Sequence, residues 1–122
     1  MSHAIEIALE SFSAEAAGDL SSYQYYPVQL NSNEQVILAS DAGDECVGIL
    51  QDDPDTAGHA CSVGFKGITK AVGGEAIDAG SKVGIGAGGK LVAYVSGGVV
   101  GYAVTACGGD EELFSVLLVK AS

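Results

Sequence analysis

The sequence predicts an all-β protein, a compact small β-barrel or sandwich of short hairpins with an N-terminal arm. Three observations lead there. Glycine supplies 18 of the 122 residues, about twice its ~7% average share, and the turns it marks recur at the ~8–12-residue spacing of all-β domains. Apolar residues fall in short runs, and no window longer than about ten residues has helical periodicity, apart from a weak one at Ala8–Ala17. The third observation is a repeat. Val47–Gly67 (VGILQDDPDTAGHACSVGFKG) holds two apolar runs, Val47–Leu50 and Ala60–Phe65, either side of a loop of acids, Pro and Gly. The same order returns 53 positions later in Val100–Lys120 (VGYAVTACGGDEELFSVLLVK). Val47 meets Val100, Gly48 meets Gly101, Ser62 meets Ser115 and Val63 meets Val116 without a gap, and Ile37–Ala39 echoes Leu91–Ala93 one residue out of step. Each copy reads as a hairpin-like unit, giving a pseudo-repeat of 35–67 and 89–120 within a single β domain, 23–122.

Residues 1–22 stand apart from that domain. Ile5, Ile7 and Leu9 alternate with Glu6, Ala8 and Glu10, the period of a strand. Ser11–Ser22 is small and polar, with a break at Gly18-Asp19. An alternating terminal stretch of this kind fits an arm that pairs with another subunit's sheet edge; the other reading is the first strand of the domain's own sheet. Tyr23–Leu30 (YQYYPVQL) is rich in β-formers, and Pro27, which cannot donate to a ladder, places it on an edge or at a bulge. Tyr23, Tyr25 and Tyr26 are either interface anchors or rings packed over the core. Asn31–Asn33 turns into a strand at Gln35–Ala39, and Asp41–Asp44 turns into the first repeat. Beyond Gly67, a strand at Ile68–Val72 is followed by a Gly73-Gly74 break, a turn at Ile77–Gly80, a strand at Lys82–Ile85 and a glycine turn into Lys90–Val95. Gly97-Gly98 predicts a tight hairpin into Val99–Ala106, and Leu113–Val119 is the last strand.

Composition narrows the function. A domain of this length buries roughly two-thirds of its unfolded surface, and 48% hydrophobic residues exclude a disordered tail. The apolar runs fall far short of the ~20 residues of a membrane helix. The N-terminus MSHAIEIALE lacks a basic region and carries acids in its apolar stretch, so it does not read as a signal peptide. Synthesis in a cytosol-like compartment is therefore expected. Net charge is −11; all five basic residues are lysines that follow residue 65, whereas eleven acids precede it. That layout repels nucleic acid and anionic lipid. It makes either a solubilising surface or an acidic face for a basic partner. Cys46, Cys61 and Cys107 lie in or beside apolar runs and are expected as reduced, buried thiols.

Motifs suggestive of chemistry lack its physical basis. Gly84–Lys90 satisfies G-x-G-x-x-G and nearly a phosphate loop, but Leu91 stands where a magnesium-binding Ser or Thr belongs. Both motifs need a helix N-terminus aimed at phosphate, and LVAYVSGG reads as a strand. Asp52, Asp53 and Asp55 do not match a calcium-loop spacing, and the cysteines with His3 and His59 show no zinc spacing. His59 and Cys61 have neither an orienting third group nor an oxyanion hole by pattern. No catalytic residue, cofactor or metal is expected.

The order of pieces over about five-sixths of the chain resembles the capsid decoration (cement) proteins of tailed bacteriophages. It is carried by LSSYQYYPVQLNSNEQVILAS (Leu20–Ser40), VGILQ-D-x-P (Val47–Pro54), ACSVGFKGITKAV (Ala60–Val72), the Ile77–Gly80 turn, a glycine-rich hairpin, VGYA and SVLL (Ser115–Leu118). The resemblance implies a non-enzymatic structural protein of the virion, made in the host bacterial cytoplasm. It would bind the capsid exterior, clamp adjacent major capsid protein subunits and form a homotrimer, often with an N-terminal arm. This chain departs in its longer acidic N-terminal segment. Ile5, Ile7, Leu9, Phe12, Tyr23, Tyr25 and Tyr26 are the expected capsid or subunit contacts, and deleting residues 1–12 is expected to weaken capsid binding while leaving the domain folded. The competing class is a small ligand- or carbohydrate-binding β module, whose sites usually show Trp or clustered Tyr with Asn or Asp; Trp is absent.

Overall fold

The computed structural model describes residues 9–119; Ile5 and Ile7 of the expected arm lie outside them. The described residues form nine strands: β1 (Glu10–Ala16), β2 (Pro27–Leu30), β3 (Gln35–Leu38), β4 (Gly48–Leu50), β5 (Ala60–Val72), β6 (Lys82–Ile85), β7 (Leu91–Ala93), β8 (Val99–Ala103) and β9 (Leu113–Leu118). The fold is all-β, as the glycine spacing and short apolar runs predict.

The strands close into two small rings that share β5. In the first, the order β1-β3-β2-β4-β5 returns to its start because β1 pairs with both β3 and β5. In the second, β5-β9-β8-β6-β7 follows in order, and a parallel bridge from Gly73, just past β5, to Leu91 joins its ends. Closure of the first ring and the single bridge across the second leave little free edge among the described strands, and free edges are a liability in small β proteins. β5 can serve both rings because it is 13 residues long and bends. Its pairing with β1 slips between Glu10 and Ser11, which leaves Phe65 unmatched, and Gly67 takes a φ of 108° that favours glycine. The sequence breaks this strand at Gly67, but the chain runs through.

Each ring has its own core. Ala16, Leu20, Val28, Val36, Leu50, Cys61 and Val63 fill the first. Ala71, Val83, Ile85, Leu91, Val100, Phe114, Val116 and Leu118 are among those filling the second, with Ala39 and Ile49 reaching over from the first half. All three residues of β4 are buried: Leu50 belongs to one core and Ile49 to the other.

The β4–β5 and β8–β9 hairpins share a register. Ile49↔Gly64 and Leu50↔Val63 correspond, 53 residues on, to Tyr102↔Leu117 and Ala103↔Val116. Gly48 and Gly101 occupy equivalent places. A Cβ on Gly48 would strike the carbonyl oxygen of Gly64 and the Val63 side chain, and one on Gly101 would strike that of Leu117 and the Val116 side chain.

Several local expectations are corrected. Glu10–Ala16 is a strand despite the weak helical period at Ala8–Ala17, and it is integral to the first ring. Tyr23–Tyr26 forms turns, not a strand: the Tyr23 and Tyr26 amides bond to Leu20 O and Tyr23 O, and Tyr25 sits at a φ of 71°. Pro27 is neither on an edge nor at a bulge. It opens an interior strand, where no donor is asked of it, and its carbonyl accepts from the Ala39 amide. Gly97-Gly98 does not make a hairpin, because β7 and β8 both pair with β6 and lie on opposite sides of it. The two glycines serve close approach instead, since side chains there would collide with Gly43–Glu45.

Candidate functional site at the junction of the two rings

A groove of about 540 Å³ opens where the rings meet. Phe12 of β1, Leu30 at the end of β2, Val47 ahead of β4 and Phe65 at the β5 slip line one side; Val99, Leu118 and Val119 line the other. Phe12 and Phe65 stack at 6.0 Å between ring centroids. The slip is what aims Phe65 outward, and it is 40% exposed, with Leu30 and Val47 each at 41%. Glu45 and Cys46 lie in the same wall. Burial pushes the Cys46 thiol up to about 11, so it remains protonated at neutral pH.

Beside the groove, the outer face of the second ring is also apolar. Lys82, Tyr102, Leu117 and Ile68 form one row across β6, β8, β9 and β5. Behind it lie Ser115 paired with Lys70, and Leu113 paired with Val72; Val104, just past β8, donates its amide to Ser115 O. Tyr102, Val104 and Leu113 are 41%, 43% and 52% exposed. An antiparallel sheet with one solvated face normally alternates apolar and polar, whereas β9 is apolar on both faces except at Ser115. Sequence reasoning missed this surface, although the near-continuous run LFSVLLV signals a strand with two covered faces.

The seven expected contact residues do not converge. Leu9 packs against the second core. Phe12 lines the groove, and Tyr23 packs with Phe12 against the first core. Tyr25 packs on the second core, with Lys70 Nζ 6.0 Å from its ring centroid. Tyr26 stacks edge-on against Tyr23 at 5.2 Å and lines a separate polar hollow with Ser21, Gln24 and Glu111. That hollow holds about 240 Å³, less than the ~300–1,000 Å³ of small-molecule sites.

The remaining motifs find structural roles. Gly84–Lys90 is the end of β6 and the turn into β7, with a short 3-10 segment at Ala87–Gly89. Lys90 Nζ is held at 3.0 Å by both Asp110 and Glu111. His59 is exposed and faces Asp55 at 3.5 Å, whereas Cys61 is buried, donates to Ala14 O and has its thiol pKa raised by burial and then by Asp52. Among the described residues no three His, Cys, Asp or Glu side chains gather as a metal site.

No curated protein matches the sequence. The fold is similar to a crystal structure of the head fiber N base of bacteriophage phi29, with a TM-score of 0.68 and 19% identity over 92% of this chain and 95% of that one. A family model described as phage cement protein matches residues 14–120, from within β1 to just past β9, and so takes in both rings. The chain therefore belongs to the phage cement protein family.

Proposed function

We propose that this capsid-associated structural protein binds the outer surface of a phage head as a homotrimer and clamps adjacent major capsid protein subunits. Its place is the virion exterior, after synthesis in the host bacterial cytoplasm, and its work is non-enzymatic. The observation that carries this reading is the extent of the family match: residues 14–120 run from within β1 to past β9 and take in both rings rather than an appended segment. Exposed apolar surface at the groove and on the outer face of the second ring gives further support, because a monomer rarely leaves such area uncovered. A clamp built of many copies works by multivalency. Each copy adds a modest contact, and the shell must break several together before it opens. Leu9, Phe12, Tyr23, Tyr25 and Tyr26, with Ile5 and Ile7, remain the proposed capsid or subunit contacts.

Heating phage heads with and without the protein tests the clamp. Heads carrying it are expected to release DNA at a higher temperature than bare heads. Equal release temperatures at full occupancy would reject clamping while leaving binding intact.

A further inference from the structure

We infer that copies of this chain join head to tail, the outer face of the second ring of one copy seating in the junction groove of the next. The inference rests on the self-association proposed above and adds where the copies touch. Its first support is apolar matching. The face presents Ile68, Tyr102, Leu117, Val104 and Leu113 on the convex outside of a closed ring, and the groove presents Phe12, Leu30, Val47 and Phe65 in a concavity. Its second support is charge. Lys70 and Lys82 project from the face, and among the described residues neither pairs with a carboxylate; each lies over a tyrosine ring instead. Lys66 and Lys90, by contrast, are engaged by Glu10 and by Asp110 and Glu111.

The one charged side chain among the described residues that line the groove is of the opposite sign. Glu45 is in its wall, and between residues 9 and 65 the chain carries ten acids and no Lys or Arg. A second copy of this chain therefore supplies an apolar surface with a carboxylate in its wall, which the lysine-bearing face is suited to meet. Because face and groove are different surfaces, the contact is heterologous: every copy offers one of each. Such a contact closes into a ring or grows as a filament, and the homotrimer is a closed ring of three.

A mixing experiment on the full chain tests this directly. One variant damages the face, Lys82→Glu with Leu113→Asp; the other damages the groove, Val47→Lys. All three positions are exposed, and circular dichroism checks that both variants fold. Wild type is expected to sediment as an oligomer, with each variant associating at least roughly tenfold more weakly. Mixed in equal amounts, the two variants should form a dimer and nothing larger, because only the groove of the first and the face of the second remain intact. An oligomeric wild type whose variants assemble normally, or whose variants fail to pair on mixing, overturns the head-to-tail contact and leaves the homotrimer standing. A monomeric wild type overturns both. If that monomer binds heads and the face variant does not, the face belongs to the capsid. Head binding is scored separately by cosedimentation, so failure there bears on the cement reading and not on this contact.

Discussion

At the scale of single residues, the most constrained positions are the two glycines that sit alike in the two hairpins. Gly48 and Gly101 each face a carbonyl oxygen and a valine side chain across the pair, so a methyl group has nowhere to go without moving backbone. Gly48→Ala and Gly101→Ala are each expected to cost about 1–3 kcal/mol, read from urea unfolding midpoints. Gly18→Ala, where a Cβ meets nothing within 4 Å, should stay within about 0.5 kcal/mol of wild type. Similar midpoints for all three variants would contradict the close approach. Cys46 gives a prediction in pH. Its folded pKa is raised by burial from 9.0 to about 11, so below pH 9 both states hold the proton and stability does not depend on it. Between pH 9 and 11 the unfolded chain releases the proton first, and unfolding gains as pH rises. Wild type should therefore lose more stability than Cys46→Ser across that window, and parallel curves would refute it.

At the scale of elements, β1 decides where an arm can begin. Its pairing with β5 runs from Glu10 to Glu15, and it closes the first ring over Cys61 and Val63. Deleting residues 1–8 leaves every one of these pairings in place and is expected to preserve cooperative unfolding. Deleting residues 1–16 opens the ring and should yield an expanded, dye-binding state; a cooperative fold after the longer deletion would contradict closure by β1. A cut after residue 12, expected from the sequence to spare the domain, falls inside this strand. How much of this was legible follows from the range of the interactions. Strand identity and most turns are local matters of glycine, acids and period-two runs, and they are visible in the chain. Ring closure depends on the parallel pairing of β1 with β3 and on the Gly73–Leu91 bridge, both of which join distant segments with no local mark. Gly97-Gly98 misled because a glycine pair serves close backbone approach to Gly43 as readily as it serves a hairpin. Tyr23–Tyr26 misled because high β-propensity was overridden by turn hydrogen bonds. The groove was half visible: Phe12 was singled out, but Phe65 faces outward only because of a slip in pairing that no pattern announces.

At the scale of the whole molecule, two rings share one long strand, with apolar surface at their junction and on one outer face. Charge is divided along the same line, since the acids without bases belong to the first half and, among the described residues, the lysines without a carboxylate partner to the second. A body of that kind is suited to lie among other proteins, which is what membership of the cement family implies. The most direct measurement of the central claim is cosedimentation of the purified chain with intact phage heads, with bound copies counted per head. Saturable binding is expected, at a copy number set by the symmetry of the shell and in multiples of three. A protein that stays in the supernatant at every concentration, with heads of its own phage, would contradict it.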